Sequence, residues 1–465
     1  MKNSNTKMDM LNGSLFDKIL KFALPLAICS ILQTLFNSVD TAVVGRFSSK
    51  NALAAVGSNA SLIALLINLF VGISVGANVV IANYIGRKET KKVKDAVSTA
   101  MITAVVSGIM LMIIGLIVSK PVLEIMGAPK EVLDLAILYF RIYCFALPFI
   151  IIYNFGAAIL RSIGDTKRPM YVLIASGIIN TILNLILVIG FGRGVDGVAV
   201  ATVIANMVSA AVIVYFLIHE ESVVKLDIKK LYFNKNEFTA ILKIGVPAGL
   251  QTTVFSISNV CIQTAINGIG ADAMAGSTVA LNFEYFTYYV ITAFAQAATT
   301  FISQNYGAGK ADRCKKAFRI SLICGGVLCQ LMSIMFIVRA EFFAGLYTQD
   351  PQAIKYALIR MNSVVILEGL TVTYEVGGAA LRALGYSMTP AILTVIGTCL
   401  LRLVWLKTIF VLNPTFRALM LVYPTTWIIT GAAVLIAYVI LQKKAFANIK
   451  DVSKLEDVVL QEVEV

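Results

Sequence analysis

The sequence predicts an all-α polytopic membrane protein, with twelve transmembrane helices in two six-helix lobes related by a pseudo-twofold axis along the membrane normal. Three observations carry the prediction. Hydrophobic residues fill 58% of the 465 positions and charged residues only 14%, against about 25% charged in a soluble domain. The mean hydropathy is accordingly high, at +0.84, and apolar runs of roughly 20 residues, the length that crosses a bilayer, recur along the chain. The chain also repeats itself: Leu160-Arg161, Gly164 and Pro169 return as Leu381-Arg382, Gly385 and Pro390, at a constant offset of 221 (381 − 160).

The runs fall at 22–44, 57–84, 95–118, 132–159, 170–191 and 195–218, and again at 239–267, 273–303, 317–338, 354–381, 389–412 and 418–441. No alternating strand pattern of a membrane barrel accompanies them, and helices satisfy their backbone groups internally in lipid. Further pairs extend the repeat: Asn51-Ala52-Leu53-Ala54 with Asp272-Ala273-Met274-Ala275, Asn83-Tyr84-Ile85-Gly86 with Gln304-Asn305-Tyr306-Gly307, and, after a slip of one residue, Pro25 with Pro247. Six spans per copy is an even number, so both copies enter the membrane in the same direction. The expected organisation is an N-terminal lobe (1–218), a cytoplasmic linker (219–238), a C-terminal lobe (239–442) and a charged cytoplasmic tail (443–465). Repeated halves of this kind are how many transporters are built, with the binding path at the interface of the halves.

Basic residues orient the spans, because short cytoplasmic loops keep an excess of them. Arg87, Lys88, Lys91, Lys92 and Lys94 follow the second span, and Lys310, Arg313, Lys315 and Lys316 follow the eighth. Lys167, Arg168 and the lysines from Lys225 to Lys235 fall on the same side, while the opposite loops carry isolated bases such as Lys50, Lys130, Arg193 and Arg417. Both termini are thus expected in the cytoplasm. The net charge of +13 is spread over these loops and does not form the basic face that nucleic acid requires, so the expected partners are the lipid bilayer and a small molecule, with the chain acting as a monomer. The first apolar run is long enough to stay in the membrane rather than be cleaved as a signal.

Several patterns carry no chemistry. Gly192-Arg193-Gly194-Val195-Asp196-Gly197 spells a dinucleotide fingerprint, but it lies in a turn between two spans and not between strand and helix. His219 is the single histidine and the seven cysteines show no ligand spacing, which argues against a zinc site, a catalytic triad or a cofactor. The chain does not read as an enzyme.

What remains is a set of polar groups inside apolar helices, where each must repay the cost of leaving water. Asp40 lies in the first span, about six residues or ~9 Å of helix rise before Arg46, and Asn37 shares its face. Asn180 and Asn184 line one face of the fifth span, and Thr202 and Asn206 one face of the sixth. A carboxylate buried there can take up a proton near neutral pH or pair with a cation, so Asp40 with Asn37, Asn180, Asn184 and Thr202 forms the candidate ion-coupling cluster, for H+ or Na+. The alternative role of these amides is to glue helices together.

Ala23-Leu24-Pro25-Leu26, Leu35-Phe36-Asn37-Ser38-Val39-Asp40-Thr41, Ala52-Leu53-Ala54-Ala55-Val56-Gly57, Gly307-Ala308-Gly309-Lys310 and the stretch Gly194 to Thr202 resemble the multidrug and toxic compound extrusion (MATE) family, within the wider multidrug, oligosaccharidyl-lipid and polysaccharide flippase superfamily. The resemblance covers about Leu15 to Gln442. It implies an exporter of the bacterial inner membrane that couples expulsion of amphipathic, often cationic compounds to inward flow of H+ or Na+, through a central cleft between two lobes that alternately faces either side. The family's first-span acid falls on Asp40 and its fifth-span asparagine on Asn180. Here Asn184 replaces an aspartate common in relatives, so Asp40 lacks that carboxylate partner, and Ser256 and Thr371 stand where sodium-coupled relatives tend to carry acids.

The second copy has other acids. Glu368 and Glu375 flank Thr371 at helical spacing and Glu284 lies in the eighth span; with Tyr288 and Phe283 they form the candidate substrate cleft, in which acids and rings would hold a flat lipophilic cation. The alternative function is a flippase for a lipid-linked saccharide, which needs a cationic cavity; Arg141, Arg360 and Arg402 are the bases inside spans that would serve it. The offset gives these sites no twins. With the one-residue slip of the first span Asp40 corresponds to Ile262 (40 + 222), and at the offset of 221 Asn180 corresponds to Leu401, Asn184 to Trp405, Glu284 to Ile63 and Glu375 to Asn154.

Overall fold

A computed structural model describes residues 8–47, 50–125 and 130–463, with the side chains at 37, 39–42, 50, 53, 61, 130, 448 and 450–463 outside the description. Every regular element among the described residues is helical. The first half of the chain runs through α1 (Leu15–Phe47), α2 (Lys50–Gly86), α3 (Thr90–Ile125), α4 (Lys130–Cys144), α5 (Leu147–Ser162), α6 (Lys167–Asn184) and α7 (Val195–Ile218). The second half follows with α8 (Lys235–Ile269), α9 (Ala271–Gly307), α10 (Ala311–Val338), α11 (Ala340–Gly345), α12 (Pro351–Ser363), α13 (Val372–Ala383), α14 (Met388–Thr394), α15 (Leu401–Lys407), α16 (Ile409–Leu412), α17 (Phe416–Met420) and α18 (Val422–Val463).

Ten helices among the described residues are long and apolar enough to cross a membrane, and the pair α4 and α5, bent by 44°, makes an eleventh span. The bend falls just before Pro148, whose ring disfavours a continuous helix through the preceding residue. The remaining expected span, the eighth, is α9. Its 37 residues exceed the length of a crossing, but Glu284, Gln296, Gln304 and Asn305 dilute its apolar character.

Three further expected spans contain a segment of another helical type. A π-helical turn, Leu185–Gly190, follows α6 directly, and another, Val395–Leu400, joins α14 to α15. The tenth span breaks at a 3-10 segment, Val365–Thr371, between α12 and α13. Gln330 Nε2 from α10 donates to the Ile366 carbonyl there at 3.0 Å, which satisfies a backbone group inside the bilayer where water is absent.

The chain forms two compact units. Ile28–Gly249 makes up most of the first, while Met10–Ala27 and Leu250–Val465 form the second. Two helices therefore change unit along their length, α1 after Ala27 and α8 after Gly249, each two residues beyond its internal proline, Pro25 or Pro247. The lead of each helix is tied to the unit it starts in. In the second unit Arg313 donates to the carbonyls of Met10 at 3.1 Å and Gly13 at 3.0 Å, and Lys310 Nζ to that of Leu11 at 3.0 Å. In the first unit Ser98 Oγ accepts from the Tyr232 amide at 2.8 Å and donates to the Tyr232 carbonyl at 2.9 Å, and Thr99 Oγ1 accepts from the Asn234 amide at 3.0 Å.

Glycines hold the lead of α8 against α2. Gly72 and Gly76 face Gly249 and Gly245, and a Cβ on Gly72 would lie 2.2 Å from the Gly249 Cα, one on Gly76 2.3 Å from the Ile241 carbonyl oxygen. Small residues spaced four apart let membrane helices approach until their backbones touch. A Gly76→Val chain should lose about 1–3 kcal/mol of stability through overpacking, read as a lowered melting midpoint in detergent. An unchanged midpoint would contradict this crossing.

Candidate functional site

In the first unit α6 and α7 bring four polar side chains together, as their helical spacing requires. Asn184 Nδ2 donates to Asn180 Oδ1 at 3.2 Å, Asn180 Nδ2 approaches Thr202 Oγ1 at 3.4 Å, and Thr202 Oγ1 donates to the Val198 carbonyl at 3.0 Å. Asn206 Nδ2 donates to the Thr202 carbonyl at 2.8 Å. The Asn180 to Thr202 contact is longer than a good hydrogen bond, so it is the link that a competing ligand breaks most cheaply. Beside it lies a cavity of about 90 Å³, lined by Gln33 and Phe36 of α1, Gly177 and Asn180 of α6, and Thr202 and Asn206 of α7.

Gly177 makes that cavity wall possible. A Cβ at this position would fall 2.2 Å from the Phe36 ring, so only glycine lets Phe36 lie on α6. Asn184 is fully buried behind the cavity wall, and the π-helical turn begins at the next residue; such widened turns recur at functional sites. Asn37 and Asp40 lie on α1, and their side chains fall outside the described residues.

The second unit pairs two of its buried charges with each other. Arg360 Nε donates to Glu284 Oε1 at 2.9 Å and Nη2 to Oε2 at 2.7 Å, while Nη1 donates to Ser277 Oγ at 2.5 Å. This two-point pairing is the strong geometry for guanidinium and carboxylate, and both residues are buried. Glu284, expected as a cation ligand, is thereby engaged by Arg360. Tyr288 donates its hydroxyl to Glu375 Oε1 at 2.8 Å, so those two predicted cleft residues meet. Glu368 sits on the 3-10 segment and is buried.

A cavity of about 120 Å³ in this unit is lined by Glu284, Tyr288 and Glu368. Phe283, expected in the cleft, is not among the residues that line this cavity. It packs against Phe336 at 5.0 Å, Phe343 at 5.7 Å and Tyr347 at 5.6 Å between ring centroids, because one residue along a helix from Glu284 turns the side chain about 100° toward the core. Arg402, Tyr423 and Trp427 also line the cavity. The sequence singled out Arg402 as a base inside a span but gave no signal for the ring pair, except that Tyr423 and Trp427 are spaced i, i+4. Among the described residues no group of three or more His, Cys, Asp or Glu side chains could hold a metal ion.

A duplicated set of membrane-spanning helices with polar cavities inside each unit defines an integral membrane transporter. The chain belongs to the MatE family, whose family model matches residues 25–186 and 247–406, two stretches that begin 222 residues apart (247 − 25) and so follow the repeat. It is 27% identical over 382 residues to the "Probable multidrug resistance protein YoeA" of Bacillus subtilis (strain 168), covering 80% of this chain and 82% of that protein. It is 23% identical over 405 residues to the "Multidrug export protein MepA" of Staphylococcus aureus (strain MSSA476), covering 86% and 88%. Among solved structures, "Outward-facing conformation of a multidrug resistance MATE family transporter of the MOP superfamily" aligns with a TM-score of 0.87 at 23% identity over 97% of this chain and all of that one. "Crystal structure of MATE in the straight conformation" aligns at 0.85 and 23%, covering 95% and 98%. Members of this family are transporters and not enzymes.

The Glu284–Arg360 pair generates a stability prediction. Arg360→Met leaves a carboxylate buried without its partner, at a cost of about 3–5 kcal/mol. The double replacement Glu284→Leu with Arg360→Met should recover most of that loss in a double-mutant cycle of thermal melts; additive losses would show that the two side chains do not act as a pair.

Proposed function

We propose that this chain is a multidrug efflux antiporter of the bacterial inner membrane, exporting amphipathic, cationic organic compounds in exchange for H+ or Na+ by alternating access. Family membership and the names of YoeA and MepA support multidrug export. The observation that carries the coupling assignment is the chain of amides and hydroxyl from Asn184 through Asn180 to Thr202, set on a cavity whose α1 wall includes Phe36. Asp40 is one helical turn beyond Phe36 on the same helix.

In this reading Asp40 takes up the coupling ion, and Asn37, Asn180, Asn184 and Thr202 supply the neutral oxygens and N–H groups around it. A proton is held on the carboxyl itself; a sodium ion, which prefers oxygen donors, is shared with the side-chain oxygens. Either event neutralises a charge whose burial is otherwise costly, so ion binding and the helix arrangement around α1 bias one another, which is the requirement for coupling. Tyr288 and Glu375, joined by their hydrogen bond, serve the cationic substrate, whereas Glu284 positions Arg360. The flippase alternative draws no support from two of its three bases: Arg141 donates to Ser119 and Arg360 is committed to Glu284.

The test is ethidium efflux from proteoliposomes with proton and sodium gradients imposed separately. One gradient should drive efflux, and Asp40→Asn should abolish that dependence. Asn180→Leu should lower the driven rate about tenfold or more, the scale of one lost charge-assisted hydrogen bond. Driven efflux that survives Asp40→Asn would remove Asp40 from the coupling role.

A further inference from the structure

We infer that the cavity inside the second unit is a binding site for the carboxylate of a flat aromatic ligand, held by Arg402 and Trp427. The cavity measures about 120 Å³ and has Arg402, Trp427 and Glu368 in its wall. All three are more than nine-tenths buried, at 1%, 4% and 4% exposure. Each carries buried polar atoms with no hydrogen-bond partner among the described residues: Nε and Nη2 of Arg402, Nε1 of Trp427 and Oε2 of Glu368.

The orientation of Arg402 decides the ligand class. Its Nη1 donates to Asn259 Oδ1 at 2.8 Å, and its guanidinium carbon lies 5.1 Å from the Phe255 ring centroid and 4.6 Å from that of Tyr423. These contacts fix the guanidinium and leave the Nε and Nη2 edge unfilled. That edge presents two parallel N–H donors spaced for the two oxygens of one carboxylate. The neighbouring Arg360 uses the same edge, Nε and Nη2, to grip Glu284, so within one cavity wall one guanidinium has its carboxylate and the other does not.

The indole points the same way. Trp405, the other tryptophan, donates its Nε1 to the Ala418 carbonyl at 3.1 Å, while the Trp427 N–H adds a third donor in the wall of the cavity. Among the buried polar atoms of the residues lining the cavity, three donors and one acceptor, Glu368 Oε2, lack a partner, so the Arg402 and Trp427 end of the cavity suits an oxyanion, while the Tyr288 side is left to the substrate of the export reading. The rings of Phe255, Tyr423 and Trp427 supply the walls for a flat apolar body. This assignment is independent of the export reading, since it concerns binding at equilibrium and holds whether or not the bound molecule is carried.

The experiment is isothermal titration calorimetry on the full chain in phosphatidylcholine nanodiscs, which contain no anionic lipid to compete. The two probes share a ring system and differ in charge: 2-naphthoate and 2-naphthylmethylammonium. The carboxylate should bind about tenfold or more tightly than the ammonium, and Arg402→Gln should weaken it by about the same factor. Trp427→Phe, which keeps an apolar ring, should weaken it severalfold. Glu368→Gln, which replaces the carboxyl by a neutral amide that brings an N–H donor, should strengthen it about two- to tenfold, a change of sign that damage to folding does not produce. Equal affinity for the two probes, no heat from 2-naphthoate up to about 10 mM, or binding indifferent to both Arg402→Gln and Glu368→Gln would overturn the assignment.

Discussion

A charge inside a bilayer has no water to answer it, and this constraint fixes the second unit around the Glu284–Arg360 pair. The two side chains meet through two hydrogen bonds, and the third nitrogen of Arg360 reaches Ser277. Arg360 also lies 5.4 Å from the Tyr423 ring centroid. One guanidinium thus ties α9, α12 and α18 together. The 3-10 break that follows α12 carries Glu368 into the same cavity wall. The first unit solves the same problem more cheaply: the polar residues lining its described cavity include neutral amides and two hydroxyls, those of Ser176 and Thr202, whose burial costs less than that of an ion.

Duplication and chemistry have separated in this chain. Gly164 and Gly385 both adopt the left-handed backbone, with φ of 85° and 92°, so the turn after the repeated Leu-Arg is preserved in both copies. The charged and amide groups are not preserved. Arg360 corresponds to Tyr139 (360 − 221) and Glu284 to Ile63, residues that need no ionic partner. Each copy supplies the same helical frame, and substitution at a few intramembrane positions has given one frame an amide cluster and the other a set of buried ions.

The fold was legible in the sequence because bilayer thickness imposes a length and a composition on every span, and because the offset of 221 exposed the duplication. Asn180, Asn184, Thr202 and Asn206 were legible for a similar reason: helical spacing alone puts each pair on one face. The breaks were not. A π-helical turn or a 3-10 segment leaves the apolar run intact, and it is side chains meeting carbonyls there, Gln330 at Ile366 and Ser258 at Thr398, that mark where backbone groups take other partners. The assignment of the α1 and α8 leads to particular units was also hidden, since it depends on Arg313 and Lys310 reaching the carbonyls before α1 and on which glycines of α2 meet which glycines of α8. Phe283 packs away from the cavity because adjacent residues on a helix face different ways, and composition around Glu284 does not say which of its aromatic neighbours follows it to the cavity.

The division of labour proposed for this transporter places ion coupling in the first unit and treats Glu284 and Arg360 as a structural pair. The most direct test counts coupling ions per exported molecule, with a pH-sensitive or sodium-sensitive dye trapped in proteoliposomes while ethidium leaves. The measurement compares the wild-type chain with the double variant Glu284→Gln and Arg360→Gln. The account predicts an unchanged ratio of ions to ethidium in the double variant, whatever its rate. A ratio that falls toward zero when the pair is neutralised would place the coupling chemistry in the second unit and contradict it.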